Sequence, residues 1–269
     1  MLVSQLRDRL TILKLGGSVI TKKDKPLTPN VQAIKRLAEE ISKADFKQLI
    51  IIHGGGSYGH PIAKKYRISE GFKDDTQLLG FSETHKAMVD LNSLLIRSLL
   101  EHRLPAFSLS PSSFIVTRKG RIQTFNAEIL KRALKLGLIP VLYGDAVFDV
   151  EWEFTILSGD QIAAALAVKL NAERIIMGID VDGLYDSDPK RNFSARLITE
   201  VSLKDAAKLI RHIGGSQAPD VTGGMLGKIL ELKAAVERGV EALIVNALSP
   251  NNIYKALKGE EVVGTRIKR

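Results

Sequence analysis

The chain has 269 residues, of which 45% are hydrophobic and 26% are charged, as in a globular protein with one large domain or two lobes. It contains no cysteine, which excludes disulfides, thiolate metal sites and cysteine nucleophiles and makes a cytoplasmic location the expectation. No apolar run approaches the roughly 18 residues that cross a bilayer, so we expect no membrane partner.

The net charge of +9 admits two interpretations, a nucleic-acid surface or a surface that attracts small anions. Lysine and arginine are dispersed through the predicted helices beside acidic residues, and aromatic residues make up only 6% of the chain. Both observations favour small anionic ligands, and we expect no nucleic-acid partner.

The first part of the chain predicts two buried strands, each followed by a glycine-rich turn. Thr11–Leu15 is predicted as the first strand and Gln48–His53 as the second. Between them, Thr28 is predicted to cap a helix that has Pro29 at its first position. The second strand leads into the glycine loop of residues 54–60 and then into a predicted helix. Such a turn binds anions through backbone N–H groups and the helix dipole.

The middle of the chain predicts a long helix, a hairpin and an alanine-rich helix. The long helix is predicted from Ser82 to His102, and the polar segment before it, residues 68–80, is predicted to be a flap because it lacks a clear period. A hairpin is predicted around Lys119-Gly120. A buried strand, Ile139–Tyr143, precedes the helix that Ser158-Gly159-Asp160 opens.

The last part of the chain continues the alternation of strands and helices. Arg174–Ile179 and Leu243–Ala247 are predicted strands, and Ser202–Arg211 and Met225–Arg238 are predicted helices. The whole pattern predicts an α/β protein, a three-layer αβα sandwich with a mainly parallel open sheet. If the chain has two lobes, their boundary is predicted near Asn171.

Ligands of such sheets bind at the carboxyl ends of the strands. Five polar, glycine-containing turns are predicted at that edge: residues 16–18, 54–60, 144–145, 158–160 and 180–183. Their coincidence predicts one site at this edge of the sheet.

The glycine loop also matches the spacing of a dinucleotide-binding fingerprint. Gly54, Gly56 and Gly59 fit it, and Asp74 and Asp75 lie roughly 20 residues further on. The match is weak because the glycines follow the second predicted strand and the acids lie in a polar segment. We therefore favour a phosphate loop over a dinucleotide site.

Two histidines flank this loop. His60 is either a helix-terminal residue bonded to a nearby carbonyl or a ligand of phosphate, and the N–H donors around it favour phosphate. His53 ends a buried strand and is predicted to be structural.

Three lysines and one aspartate suggest phosphoryl transfer. Lys14 lies in an apolar strand, where a charge needs a partner, and Lys228 lies near the start of a helix that opens with Thr222-Gly223-Gly224. Lys23 is either a phosphate ligand or a solvated side chain. Asp160 either interacts favourably with its helix dipole, orients the lysines or binds Mg²⁺. Positive groups and glycine amides without an obvious nucleophile suit phosphoryl transfer, which needs positioning and charge neutralisation.

Several segments together resemble the amino acid kinase superfamily: residues 14–18, Ser158-Gly159-Asp160, Asp180-Val181-Asp182-Gly183 and residues 220–225. Within it, the segment from His53 to Pro61 is similar to that of archaeal-type isopentenyl phosphate kinases, although Tyr58 stands where Phe is common. The ending, residues 252–257 and Gly264-Thr265, resembles that family too. The resemblance covers nearly the whole chain in order.

The resemblance implies ATP-dependent phosphorylation of isopentenyl phosphate to isopentenyl diphosphate for isoprenoid biosynthesis, with Mg²⁺. It implies a single domain, residues 1–269, whose N-terminal lobe (1–170) holds the phosphate acceptor and whose C-terminal lobe (171–269) holds ATP. It also implies a homodimer.

By motif, the resemblance carries roles to individual residues. Lys14 and Lys228 would neutralise the transferring phosphoryl group, Lys23 would stabilise the transition state, and Asp160 would orient the lysines. The resemblance leaves open whether Lys23 or its neighbour Lys22 points into the site. The acceptor phosphate would be held by Gly55, His60 and Gly159. The ATP side would be lined by Gly16, Gly17, Ser18, Gly56, Asp180, Tyr185 and Gly224. No side chain is predicted as a dedicated metal ligand.

We also predict that the isoprenoid tail lies against the Phe81–Met88 face, for which the alternative is plain core packing. Two other functions stay open from the sequence. One is another small-molecule kinase of the superfamily, acting on a carboxylate, a nucleoside monophosphate or a phosphonate. The other is a non-catalytic nucleotide-binding sensor.

Overall fold

The fold is a large, mainly parallel sheet with helices on both faces, in a computed structural model that describes residues 9–187, 192–206, 208 and 221–269. Helices whose bounds lie within the described residues include α1 (Gly17–Ile20), α2 (Val31–Ala44), α3 (Gly56–Lys65), α4 (Thr76–Glu101), α5 (Glu128–Lys135), α6 (Gly159–Lys169), α7 (Val221–Glu237) and α8 (Asn252–Lys258). Short 3₁₀ turns span Ile68–Glu70 and Pro111–Ser113.

The strands alternate with these helices along most of the chain. They are β1 (Thr11–Leu15), β2 (Leu49–His53), β3 (Ala106–Ser108), β4 (Ile115–Arg118), β5 (Arg121–Phe125), β6 (Ile139–Tyr143), β7 (Asp145–Asp149), β8 (Glu153–Leu157), β9 (Arg174–Ile179), β10 (Leu184–Tyr185), β11 (Leu197–Ile198), β12 (Glu200–Ser202), β13 (Glu241–Asn246) and β14 (Gly264–Lys268).

The large sheet has the strand order β12-β14-β13-β9-β1-β2-β6-β3. All its neighbouring strands are parallel except β13 and β14, which pair antiparallel. The prediction of a mainly parallel sheet is confirmed. A smaller sheet, β5-β4-β7-β8, contains the predicted hairpin, and β10 pairs with β11.

Alternate residues of the central strands enter two separate cores, because side chains of a strand point to opposite faces. Ile12 and Ile50 pack into one core with α6 and α7, whereas Leu13 and Ile51 pack into the other with α2, α4 and α8. Both faces of the sheet are thus covered by helices, as the three-layer prediction requires.

The predicted start of the helix that follows Thr28 is wrong. Helix α2 begins at Val31, and its cap is Asn30, whose side chain accepts a hydrogen bond from the N–H of Ala33 at 3.3 Å. The Thr28 hydroxyl instead donates to the carbonyl of Pro26, and Pro29 forms a β-bridge with Thr21. Both Thr and Asn are good caps, so sequence alone does not separate two positions two residues apart.

The predicted flap at residues 68–80 is also wrong. Ile68 is fully buried, and helix α4 begins at Thr76, within the predicted flap. The buried Gln77 amide donates to the carbonyls of Tyr66 and Gly71 at 3.0 and 3.1 Å. These bonds hold the segment against the preceding turn.

Candidate active site

A cleft of about 480 Å³ opens at the carboxyl ends of the central strands. Each of the five predicted glycine turns contributes to its wall, through residues 16–18, 54–57, 144–145, 158–160 and 180. The sheet therefore brings together the turns that the sequence placed at this edge.

A buried ion-pair cluster lies at the centre of the cleft. Lys14 Nζ lies 2.6 Å from Oδ1 of Asp160, and Lys228 Nζ lies 2.8 Å from Oδ2 of the same carboxylate. The three side chains come from β1, the first turn of α6 and α7. Helix α6 starts where it does because the Ser158 hydroxyl accepts a hydrogen bond from the N–H of Gln161.

The cluster carries more positive than negative charge. Burial lowers the pKa of the Lys14 ammonium, the charge of Asp160 opposes that shift, and the charge of Lys228 adds to it. Burial alone would raise the pKa of Asp160, but Lys14 and Lys228 outweigh it and lower this pKa to about 2. Two ammonium groups thus share one carboxylate, and the surplus positive charge in a desolvated site attracts a phosphoryl group.

Two glycine turns meet backbone to backbone beside this cluster. A Cβ atom on Gly17 would lie 2.2 Å from the backbone nitrogen of Gly56, and Gly56 has a φ of +49°. The N–H of Gly54 donates to the carbonyl of Leu15 at 2.9 Å. Only glycine permits this approach, which brings two anion-binding turns into direct contact.

His60 projects from helix α3 into the same cleft. It is the fifth residue of the helix, one turn later than predicted, and it is exposed. Its ring makes no hydrogen bond within the described part of the chain. Partial burial in the cleft wall, followed by the charges of Lys14 and Lys228, lowers the pKa of His60. A neutral imidazole there can donate one hydrogen bond to an anion.

Lys23 rather than Lys22 faces the cleft. Its Nζ lies 2.6 Å from Oδ2 of Asp180, and its side chain is 62% exposed. Burial would raise the pKa of Asp180, but the hydrogen bond and charge of Lys23 lower it. The loop lysine thus reaches the opposite side of the cleft.

The structure does not place two of the predicted ATP-side residues, Tyr185 and Gly224, in the wall of the cleft. The Tyr185 hydroxyl donates to Oδ2 of Asp182 at 3.0 Å, and Tyr185 does not line the cleft. Gly224 lies in the first turn of α7, and its surroundings fall outside the described residues, as does Asp220 of the same motif.

His53 fits its predicted structural role. It is fully buried, its ring contacts the carbonyl of Gly54 at 3.1 Å and Oδ1 of Asn92 at 3.2 Å, and it stacks on Tyr143. Burial lowers the pKa of this imidazole to about 4, so it is neutral near pH 7. Its ring contact with the Gly54 carbonyl holds the start of the glycine loop.

The residues predicted to hold a tail divide into two groups. Met88 is buried, lines the cleft and lies against Gly55, where a Cβ would be 3.0 Å from the Met88 sulfur. Phe81 does not line the cleft and packs on Phe148 and Phe154, with ring centroids 5.3 and 5.5 Å apart.

Sequence reasoning missed one buried pair beside the cleft. The Asp145 carboxylate lies 3.0 and 3.1 Å from Nδ1 of His85. In the sequence, Asp145 is only the second residue of the predicted turn at residues 144–145. No local sequence signal links it to a histidine 60 positions away.

Two classes of feature are absent from the described residues. They contain no group of three or more His, Asp or Glu side chains arranged to hold a metal ion. Nor does any helix among them combine the length and apolar character needed to cross a bilayer.

Comparison with known proteins gives this cleft its context. A model of the amino acid kinase family matches residues 9–246. The isopentenyl phosphate kinase of Methanothermobacter thermautotrophicus is 42% identical over 266 residues, covering 96% of this chain and 98% of the relative. That of Methanocaldococcus jannaschii is 39% identical, with 96% and 98% covered.

Solved structures give the same result. A structure of isopentenyl phosphate kinase superposes with a TM-score of 0.84 at 40% identity, covering 96% of this chain and 100% of that chain. UMP kinase from Ureaplasma parvum, with a TM-score of 0.66 at 20% identity and coverage of 97% and 99%, shares the fold alone. The chain therefore belongs to the amino acid kinase family, in its isopentenyl phosphate kinase branch.

Proposed function

We propose that this kinase transfers the γ-phosphoryl group of ATP to isopentenyl phosphate, giving isopentenyl diphosphate and ADP for isoprenoid biosynthesis. The observation that carries the proposal is the buried Lys14–Asp160–Lys228 cluster in one cleft with the exposed imidazole of His60. The relatives named isopentenyl phosphate kinase support the choice of acceptor.

In the reaction, an oxygen of the acceptor phosphate attacks the γ-phosphorus, and the bond from that phosphorus to the β,γ-bridging oxygen breaks. Lys14 and Lys228 neutralise the charge on the transferring group, and Asp160 holds both ammonium groups in place. Lys23, released from Asp180, adds a further positive charge to the transition state.

The acceptor needs no general base. The second pKa of a phosphate monoester is about 6, so the attacking oxygen is already ionised near neutral pH. What the site must supply is a means of holding two anions together. We assign this to the backbone of Gly55 and Gly159 and to a hydrogen bond from His60.

The ATP phosphates would lie along the other wall of the cleft. The residues assigned to that wall are Gly16, Gly17, Ser18, Gly56, Asp180, Tyr185 and Gly224, with Lys14 and Lys228 reaching the γ-phosphate. We further propose that residues 1–170 form the acceptor lobe and residues 171–269 the ATP lobe.

The residues present suit an Mg²⁺ ion that binds together with ATP. Mg²⁺ commonly binds through substrate phosphates with one or two carboxylates. Asp180 lies on the ATP wall with its ionised form stabilised, whereas both oxygens of Asp160 are engaged by lysines. Asp180 is therefore the side chain that would hold the ion, which would shield the charge between the β- and γ-phosphates.

A homodimer and a cytoplasmic location complete the proposal. Sedimentation of the purified chain tests the first, since a single species of one-chain mass would contradict it. Fractionation of source cells tests the second.

An acceptor panel tests the activity. We expect Mg²⁺-dependent ATP turnover with isopentenyl phosphate and little with glutamate, N-acetylglutamate or UMP. Turnover only with a carboxylate or with UMP would overturn the choice of acceptor. ATP binding without turnover on any acceptor would overturn the assignment as a kinase.

A further inference from the structure

The pair formed by His85 and Asp145 lies outside the lysine cluster and has no part in the chemistry described above. The Asp145 carboxylate is fully buried, and both of its oxygens face Nδ1 of His85. Its other contacts are the N–H of Ala146 at 2.9 Å and the hydroxyl of Ser110 at 3.5 Å. No lysine or arginine of the described residues forms an ion pair with it.

A buried carboxylate is costly unless a charge or several hydrogen bonds compensate it. His85, when protonated, supplies the counter-charge to Asp145, and the hydrogen bond between them raises the pKa of the imidazole, which favours that protonated form. The His85 side chain is 33% exposed, so it lies between solvent and the buried carboxylate. Losing its ring would leave Asp145 without a counter-charge.

His85 is connected to the glycine loop through helix α4. His85 lies in helix α4, one residue after Thr84 and three before Met88, and both of those residues line the cleft. The Met88 sulfur packs against Gly55 and against Gly59, where an added Cβ would lie 2.8 Å away. The position of α4 therefore sets the position of the Gly55 backbone.

Asp145 is connected to the start of helix α6 through Gly144. Asp145 follows Gly144, whose N–H donates to the carbonyl of His53 at 3.0 Å. A Cβ on Gly144 would lie 3.1 Å from the backbone nitrogen of Gly159. The position of this turn therefore sets the position of the Gly159 backbone.

We propose that His85 is a positioning residue for the phosphate acceptor, acting through its ion pair with Asp145 to fix the separation between Gly55 and Gly159. The inference rests on the proposed function, in which those two glycines hold the acceptor phosphate. ATP is bound by the opposite wall, so the pair acts on one substrate only.

The first experiment compares His85→Phe with wild type in full kinetics for both substrates. We expect KM for isopentenyl phosphate to rise about ten- to a hundredfold, because misplacing a binding group by about 1 Å has effects of this size. KM for ATP should stay within about twofold. His102→Phe is the matched control, since His102 follows the same helix and its ring forms a hydrogen bond with the carbonyl of Ser98, away from the cleft. It should leave both constants unchanged.

A second experiment separates positioning from general packing. His85→Gln keeps a donor but removes the charge, and Asp145→Asn removes the need for that charge. We expect the single variant H85Q to be impaired and the double variant H85Q/D145N to recover most of the acceptor KM, a non-additivity that only a coupled pair shows. The double variant also preserves side-chain volume, which keeps the test valid if H85F does not fold.

The outcomes distinguish this inference from the proposed function. Absence of wild-type turnover with isopentenyl phosphate would overturn the proposed function and this inference with it. Wild-type turnover combined with an unchanged acceptor KM in H85Q and H85F would overturn the positioning role alone. Equal increases in both KM values, or a lowered melting temperature without a selective change in KM, would do the same.

Discussion

The lysine cluster and the acceptor side of the cleft differ in how completely the chain satisfies its own polar groups. Asp160 is in contact with both Lys14 and Lys228, and all three side chains are at least three-quarters buried. His60, by contrast, is exposed and makes no hydrogen bond within the described residues. Buried charges must be compensated within the protein, whereas an exposed imidazole can remain available to a substrate.

The difference separates two tasks of the site. Charge neutralisation is built into the fold before any substrate arrives, which avoids reorganisation during the reaction. In the proposed function, recognition of the acceptor depends on groups, His60 among them, whose hydrogen bonds the acceptor itself completes. Variants on the two sides should therefore affect different kinetic constants.

The largest effect is expected from Lys228→Met. It removes one of the two ammonium groups that we propose neutralise the transferring phosphoryl group, so kcat should fall about 10²- to 10³-fold with small changes in both KM values. Lys233→Met is the control, since Lys233 is exposed on the same helix and its Nζ lies 3.8 Å from Glu237. Steady-state kinetics measure both, and a fully active K228M would contradict the role.

Gly56→Ala tests the contact that joins the two sides. Its φ of +49° and a Cβ only 2.1 Å from the hydroxyl of Thr21 force the backbone apart, so we expect a loss of about 3 kcal/mol in unfolding free energy. Gly137→Ala has a φ of +81° with nothing within 4 Å, and should cost only about 1 kcal/mol. Denaturant titration compares them, and equal losses would show that the close approach is unimportant.

His60→Ala should affect the acceptor side alone. Loss of a hydrogen bond to a charged group corresponds to about 2 kcal/mol, or about thirtyfold in kcat/KM for isopentenyl phosphate. KM for ATP should not change. His60→Gln keeps a donor and should recover part of the loss. An ATP effect as large as the acceptor effect would mean that the two sides are not separate.

A pH titration of stability tests the support beneath the acceptor loop. The pKa of His53 is about 4 in the folded chain and about 6.5 when unfolded, so the unfolded state takes up a proton first as pH falls. This contribution to stability is present above pH 6.5 and is lost as pH falls toward 4. Between pH 7 and 5 it amounts to about 2 kcal/mol.

The measurement compares denaturant unfolding of wild type and His53→Gln at both pH values. The stability difference between them should shrink by about that amount at pH 5, because glutamine does not titrate. Other groups titrate in both proteins and cancel in the comparison. A constant difference would show that His53 is not held neutral by its burial.

Much of the fold followed from local signals. Strands such as β1 and β9 are continuous buried runs that end in polar glycine turns, and parallel pairing brings those turns to one edge. The strand β14 was missed because its sequence, Gly-Thr-Arg-Ile-Lys, is short and half polar. Its place between β12 and β13 is set by tertiary pairing.

Site residues were predictable where a polar or charged side chain occurs in an otherwise apolar element. A lysine inside the apolar strand β1 indicated a buried partner, and Asp160 is that partner. His85 gave no such signal, because a histidine on a helix is ordinary until its neighbours are known. The choice between Lys22 and Lys23 likewise depended on loop geometry.

The position of β1 in the sheet has a consequence for how the chain folds. This strand is among the first segments of the described chain, yet it lies in the middle of the large sheet, between β2 and β9. Pairing with β2 closes a short loop, but pairing with β9 must wait for a segment much later in the chain. One edge of the Lys14 strand therefore stays unpaired through much of synthesis, and this exposed apolar edge is where misassembly during translation would begin.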